Sequence, residues 1–529
     1  MVQRIRNLLH QRPPNTDENW RVHTLIFFGL TLLTRAPFQS RLLYDHDSVQ
    51  FALGMRSYDV YLHQPHPPGY FLYVHTAKLL DFFLRDANSS LVWLSTIASA
   101  FAVAIIYNLA SAVFTRRDGW WAALLAVTSP LFWFFGEVAL SYAVAAFFSS
   151  LVAFGVWRVL NGNDRWIYPL SITLGVAVGF RQDLGLFLGP LWLLAVGQRN
   201  WRIFSTACLV LLFTISLWFI PMLIATGGAT RYFAASSELW RFNNDSGAIW
   251  HAAPATRIDT LLTLVGVLSY GVGLGTIFLI VVGYMLVRKR QWPALPRKKI
   301  LFFAVWLTPA LLFFTIVFIP PYKYSYGLVL LPAFFILTPA AVRQALTLLR
   351  TFGVFASFPV EQATAIVVTA VLASNIAVFC LTDSGFSVSG LRTHERLLAM
   401  IFAGIKQNFP SDGTLILGKQ RSTFSGFRHI QYYLPEYPVY LIDQQTDVQG
   451  RKWHAFGARN GRTILTTNIE VPPATKRIVY VADPYFPESN EDLRHMNLRA
   501  IPLSAAYSIY FQETNEISPR SRATQEPPP

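Results

Sequence analysis

The segment "YDHDSVQFALGMRSYDVYLHQPHPPGYFLYVHTAKLL" sets two carboxylates and an imidazole side by side, Asp45, His46 and Asp47, with His63 and His66 following. Asp47 stands directly before the short amphipathic stretch Ser48 to Tyr58, and an aspartate there is a strong N-cap. Asp45, His46, His63 and His66 are also metal-ligand types, but they lack the fixed spacing of a zinc motif. A second acid, Glu137, sits in "SPLFWFFGEVALSYA". Cations are spread around these acids: Arg56, Lys78, Arg181 in "GFRQDLG", and Lys323 beside Tyr324 in "PPYKYSYG". Two of these cations also have a plain structural role open to them, an ion pair with Asp183 for Arg181 and snorkelling to a surface for Lys78.

The elements that must position these residues are membrane helices. Of 529 residues, 53% are hydrophobic and 14% are charged, against about 25% charged in an ordinary soluble protein. A net charge of +15 would suit nucleic acid, yet the basic residues form no stripe with interleaved aromatics. They punctuate apolar stretches instead. Arg288, Lys289, Arg290, Arg297, Lys298 and Lys299 form an acid-free cluster of the kind that keeps a short loop cytoplasmic, so nucleic acid is not expected as a partner. Cys208 and Cys380 lie in apolar stretches, where a thiol is a small hydrophobe, and imply no disulfide framework.

A span needs about 20 apolar residues. The first, His23 to Phe38, follows Arg4, Arg6, Arg12 and Arg21 and reads as an uncleaved first crossing with its start in the cytoplasm. Tyr70 to Leu84 is apolar but holds His75, Lys78 and Asp81. Each charge would cost about 2.5–3.5 kcal/mol at the bilayer centre, so a helix lying in the interface is expected. With that choice Leu91 to Phe114 returns inward, and further spans fall near 119–136, 141–160, 166–180, 184–198, 203–225, 259–287, 300–319, 327–349 and 363–381. Arg116 and Arg117, Arg158 and Arg165, Arg199 and Arg202, the 288–299 cluster, and Arg343 and Arg350 then all lie inside. About eleven spans result. Residues 1–22 are a cytoplasmic segment, 23–381 the transmembrane domain, and everything beyond lies outside. The outward loops, 40–68, the turn at Glu137, 231–256 and 320–326, hold the polar and aromatic residues. The loop 231–256, with Tyr232, Trp240, Arg241, Trp250 and His251, suits either a cover over a bound lipid or an interfacial aromatic belt.

Beyond Thr382 short β-type runs ("TLILG", "VYLID", "TILTT", "RIVYVAD") follow a helical stretch at His394 to Asn408, which reads as a small α/β domain over 382–515. The Pro-, Ser- and Arg-rich end, 516–529, is expected to be disordered.

Three features now carry a likeness. Asp47 in "DSVQFALG" follows the first span and opens a juxtamembrane helix, His66, Pro67 and Pro68 open a second in "HPPGYFLYV", and Glu137 follows the third span in a short outward loop. The chain resembles the GT-C membrane glycosyltransferases, the branch of protein O-mannosyltransferases and aminoarabinose (lipid A) transferases. It departs from the family's Asp-Glu pair, with Ser48 in place of the Glu, so the first acid alone carries over. The motifs lie mostly in the first 190 or so residues, and the tail looks different from the lectin-like insert of the eukaryotic enzymes.

The resemblance implies inverting transfer of a sugar from a polyprenyl phosphate to an acceptor hydroxyl on the outer face of the membrane. A hydroxyl is a poor nucleophile at neutral pH, so a carboxylate must take its proton as attack proceeds, and Asp47 is the candidate. The leaving phosphate needs cations, for which Arg56, Lys78, Arg181 and Lys323 are the candidates, with His66 and Tyr324 as further substrate contacts. Glu137 could share a divalent ion with Asp47, Mg²⁺ or Mn²⁺ by its oxygen ligands, orient the acceptor, or cap the span that starts at Ser141. A transporter or flippase of lipid-linked saccharide is the alternative, but paired repeats and broken spans at the bilayer midplane are not evident. The sequons Asn88-Ser89-Ser90 and Asn244-Asp245-Ser246 would be glycosylated in a eukaryotic secretory membrane. The short first loop and the tail instead suggest a bacterial inner membrane, with the tail domain periplasmic. Sugar and acceptor are not legible.

Overall fold

The structure is a computed structural model that describes residues 19–247, 254–289, 296–317, 323–351, 358–419, 426–442, 455–466, 469, 471–485, 493, 496 and 498–514. Arg4, Arg6, Arg12, Arg290, Trp250, His251 and the end segment 516–529 lie outside these. In chain order the helices are α1 (Trp20–Arg35), α2 (His46–Arg56), α3 (Phe71–Leu84), α4 (Ala87–Val113), α5 (Arg116–Thr128), α6 (Pro130–Phe135), α7 (Tyr142–Leu160), α8 (Ile167–Phe180), α9 (Asp183–Val196), α10 (Trp201–Ala225), α11 (Ala229–Gly247), α12 (Pro254–Val272), α13 (Gly275–Lys289), α14 (Arg297–Leu312), α15 (Leu331–Thr351), α16 (Val360–Leu381), α17 (Val388–Asn408) and α18 (Gly426–Tyr433). The chain forms two compact units. One takes residues up to 39, 70–225 and 246–391; the other takes 40–69, 226–245 and those from 392 on.

Among the described residues six helices of the first unit are long and apolar enough to cross a membrane: α4, α7, α10, Arg297–Val317 (α14 with the π-turn that continues it), Leu331–Arg350 within α15, and α16. The other five expected spans are shorter or broken. The stretch 23–38 gives the 16-residue α1, and 166–180 and 184–198 give the 14-residue α8 and α9. The stretch 119–136 is split because Pro130 cannot continue α5; Ser129 turns the chain and caps α6, its Oγ accepting from Phe132 N at 3.2 Å. The stretch 259–287 is split at Gly273, whose φ of 59° is left-handed. The helix α3, 14 residues long, spans about 21 Å at 1.5 Å per residue, short of the roughly 30 Å hydrocarbon core. It leaves Leu79, Phe82 and Phe83 exposed.

Close packing in this unit follows from small residues. The helix α4 packs against α1, α5 and α7, and its buried positions include Ser95, Ala98, Ser99, Ala100, Ala102 and Ala104. Two polar clusters in the interior are paired. Trp306 Nε1 donates to Ser149 Oγ at 2.9 Å, which donates to Val329 O at 2.7 Å. The buried carboxylate of Asp118 receives Arg343 through both oxygens, at 2.7 and 3.2 Å.

The second unit is an α/β layer structure. Its seven-stranded sheet runs β4-β3-β2-β1-β5-β7-β6, with β1 (Thr414–Gly418), β2 (Val439–Leu441), β3 (Ala455–Arg459), β4 (Arg462–Thr466), β5 (Arg477–Val481), β6 (Arg499–Pro502) and β7 (Ser508–Glu513). The central β1 is parallel to β2 and β5, in register Ile416 with Val439 and Val479, and the outer pairs are antiparallel. Strand β1 is buried throughout, as a central parallel strand covered on both faces must be. Leu398, Ile401 and Ile405 of α17 and Phe427 and Ile430 of α18 complete its core. The four runs legible in the sequence are strands β1, β2, β4 and β5. Strands β3, β6 and β7 and helix α18 had not been expected.

Candidate active site

In the second unit, Asp45 rather than Asp47 is the N-cap of α2. Its Oδ1 accepts from Asp47 N at 2.9 Å, and its own N–H donates to Ser48 Oγ at 3.2 Å, closing a capping box. This corrects the capping role expected for Asp47. It also gives Ser48 a function at the position where the family has an acid, because a serine three residues past the cap can return the second bond of the box. The helix that follows is buried from Ser48 to Met55, not a two-faced surface segment. Gly54 matters here: a Cβ would lie 3.0 Å from Gln64 O and from Pro65, so the glycine lets the loop before the "HPP" motif close onto α2.

The carboxylate of Asp47, in the first turn of α2, lies against two imidazoles. Its Oδ1 is 3.0 Å from His46 Nε2 and 3.4 Å from His66 Nδ1. His46 reaches Asp45 Oδ1 with its other nitrogen at 2.9 Å, so the three side chains form a carboxylate–imidazole–carboxylate chain. Burial pulls the His46 pKa down, but Asp47 and Asp45 outweigh it and hold the ring protonated, pushed up to about 10. His66 is oriented by Gln50, whose Oε1 accepts from His66 N at 3.2 Å and lies 2.6 Å from Nδ1. An acceptor oxygen on that side assigns the proton to Nδ1. The His63 ring packs on Phe456, and burial, with Arg428 and His66 nearby, holds it well below the usual histidine value.

Asp45, His46 and Asp47 are, among the described residues, the group whose ligand atoms come close enough to share a metal, within 4.8 Å. The donor types fit a divalent ion, and both ring nitrogens of His46 face carboxylate oxygens, Nδ1 at 2.9 Å and Nε2 at 3.0 Å.

The loop beyond α2 is closed by Asp59 and Gln64, whose main chains exchange bonds of 2.8 and 2.9 Å. Helix α11 meets it. Arg231 pairs with Asp59 Oδ2 at 3.0 Å and covers the Tyr61 ring, and Tyr232 OH donates to Pro68 O at 3.2 Å. Arg56, at the end of α2, lies over the Tyr432 ring at 4.1 Å.

The remaining candidates belong to the first unit, so Asp47 and Glu137, expected as a metal pair, fall in different units. Glu137 is fully buried in the turn between α6 and α7, where its charge couples to that of Arg35, also fully buried. Arg35 donates to Val127 O at 2.7 Å and Ala126 O at 3.3 Å and had not been singled out in the sequence. Arg181 is buried and oriented before any ligand arrives: Nε and Nη2 bind Asp183 at 3.2 and 2.7 Å, and Nη1 donates to Ser141 Oγ at 3.0 Å. Rings of Tyr142, Tyr70 and Tyr326 surround it at 4.6–6.0 Å. It lines a narrow cleft with Asp183, Tyr142, Tyr326 and Phe314. Lys78 is exposed on α3, and Lys323 precedes the 3₁₀ turn Tyr324–Val329. Tyr324 packs edge-on to Phe386 at 5.2 Å.

The chain thus combines a polytopic helical unit with a small α/β layer unit. Residues 57–205 match the family model described as Protein O-mannosyl-transferase TMEM260 N-terminal domain. The crystal structure of ArnT from Cupriavidus metallidurans bound to undecaprenyl phosphate superposes with a TM-score of 0.54 at 14% identity, covering 93% of this chain and 97% of that one. The same protein in the apo state gives 0.50 at 14% identity, covering 94% and 98%. An Archaeoglobus fulgidus oligosaccharyltransferase in complex with Zn and sulfate gives 0.37 at 15% identity, over 66% of this chain and 53% of that one. No curated protein sequence matches the chain. The likeness to the GT-C glycosyltransferases is thus shown in the fold and in the segment 57–205, which holds the "HPP" motif and Glu137 but not Asp47.

Proposed function

We propose that the protein is an inverting glycosyltransferase that takes its sugar from a polyprenyl phosphate and works on the outer face of the membrane, with Asp47 as the general base. The observation that carries this is the placement of the Asp47 carboxylate, freed from capping by Asp45 and held between His46 and His66. In the reaction the acceptor hydroxyl oxygen bonds to the anomeric carbon as the carbon–oxygen bond to the phosphate breaks. The hydroxyl proton passes to Asp47, and the bonding pair leaves with the polyprenyl phosphate.

His46, charged and bridging both acids, fixes the carboxylate without competing for the acceptor proton. The departing phosphate needs positive charge where it develops. Lys78, Lys323 and Arg181 are the cations of the first unit proposed for this, with Arg181 already oriented by Asp183 and Ser141. Arg56, stacked on Tyr432, is proposed to position the loop rather than the phosphate. Asp45, His46 and Asp47 are the residues that would hold a divalent ion, Mg²⁺ or Mn²⁺, and no step is routed through it. Undecaprenyl phosphate in the similar ArnT structure supports a polyprenyl carrier. A bacterial inner membrane, with the second unit periplasmic, remains the proposed setting.

The test uses the full chain in detergent with radiolabelled mannosyl polyprenyl phosphate and follows release of the sugar to water or an added alcohol. Asp47→Asn should lower turnover about 10²- to 10⁴-fold, the range of a positioned base. Unchanged turnover would remove Asp47 from that role.

A further inference from the structure

The main chain leading into the cap, residues 40–44, lies in neither helix nor strand. Side chains 350 or more positions away bind it. Glu395 Oε1 accepts from Ser40 Oγ at 3.1 Å and Arg41 N at 2.6 Å. Tyr433 OH accepts from Leu43 N at 2.8 Å, and His429 Nε2 donates to Leu43 O at 3.2 Å. His394 Nε2 donates to Tyr44 O at 2.7 Å, which leaves its Nδ1 to accept from Tyr485 OH. These partners are fixed in turn. Glu395 is paired through its other oxygen with Arg392 at 2.7 Å, and His394, Glu395 and His429 are all buried. Farther along the loop the buried Arg428 donates to Leu62 O at 3.0 Å while holding Gln431 and Thr463.

Tyr44 is followed directly by Asp45, the cap that sets the start of α2 and with it His46 and Asp47. A displacement of about 1 Å at a reacting group costs roughly 10²-fold in rate, so whatever holds 40–44 holds the base.

We propose that Glu395, His394, His429 and Tyr433 are positioning residues for Asp47, which makes the carboxy-terminal α/β layer part of the catalytic apparatus rather than an appended recognition module. This rests on Asp47 being the base. Loss of Glu395 releases the Arg41 amide, loosens the cap, and lets the carboxylate leave its working position. Substrate binding contributed elsewhere is untouched, so the effect falls on kcat.

The experiment compares Glu395→Ala and Glu395→Gln in the full chain, each alone and with Asp47→Asn. Hydrogen exchange of a peptide covering residues 38–50 is read together with turnover of the mannosyl polyprenyl phosphate. Glu395→Ala should speed exchange in that peptide while exchange in strands β1 and β5 stays slow, and should lower kcat about 10- to 100-fold with donor KM unchanged. Glu395→Gln keeps an acceptor oxygen and should restore both slow exchange and turnover. In the Asp47→Asn background the alanine change should cost little more, because two groups acting as one unit are not additive. Unaltered exchange in Glu395→Ala, or an equal loss of turnover in both backgrounds, overturns the positioning role. Full activity of Asp47→Asn with fast exchange in Glu395→Ala overturns the base assignment instead, and leaves a loop clamp without catalytic consequence.

Discussion

At the scale of single residues, the site is defined by which of two aspartates does which job. Asp45 and Asp47 are two positions apart, and either could cap a helix. The backbone decides, because Asp45 is extended (φ −119°, ψ 161°) while Asp47 is already helical. The proton on His46 has a consequence for stability. Its folded pKa lies at about 10, above the usual 6.5, so its contribution is fully present below about 6.5 and is lost as pH rises through about 10. Thermal unfolding from pH 6 to 11 should show the unchanged chain losing its advantage over His46→Gln across that interval. A constant difference would mean that the ring carries no charge in the folded state.

At the scale of elements, the breaks are as informative as the helices. Gly273 separates α12 from α13 in a left-handed conformation, and a Cβ there would lie 2.0 Å from Asn375 Oδ1 on α16. Gly273→Ala should therefore destabilise the membrane unit by at least the roughly 1–2 kcal/mol of a left-handed alanine. The melting temperature in detergent should fall, while turnover per folded molecule should not. A melting temperature at or above that of the unchanged chain would show that the break tolerates a side chain. Pro130 breaks the preceding pair for a reason visible in the sequence, since proline lacks the amide a continuing helix needs. Gly273 offered no such sign, because a glycine inside an apolar run is as compatible with a close helix contact as with a turn.

At the scale of the whole molecule, the chain's two compact units do not follow its linear order, since residues 40–69 and 226–245 belong with the carboxy-terminal sheet. Deleting the residues from 392 on should abolish turnover even where the membrane unit is still inserted and monodisperse, because the main chain of 40–44 loses its bonds to α17 and α18. Full activity of that truncated chain would place all of catalysis in the remaining residues. Composition, the long apolar runs and the short β-type runs "TLILG" and "RIVYVAD" were enough to determine a polytopic helical body followed by an α/β domain, because burial in lipid or in a sheet interior leaves a local pattern. Asp47, His66 and Glu137 were legible as site candidates through the resemblance to the GT-C glycosyltransferases. Ser48 could have been read too, since it stands three residues after its cap. Tertiary structure alone decided that Arg35 comes within electrostatic reach of Glu137 and that His394, Glu395 and His429 bind the main chain of residues 40–44. Both depend on groups from distant parts of the chain meeting in space, and a hydrogen bond across 350 residues leaves no periodicity in either partner's neighbourhood.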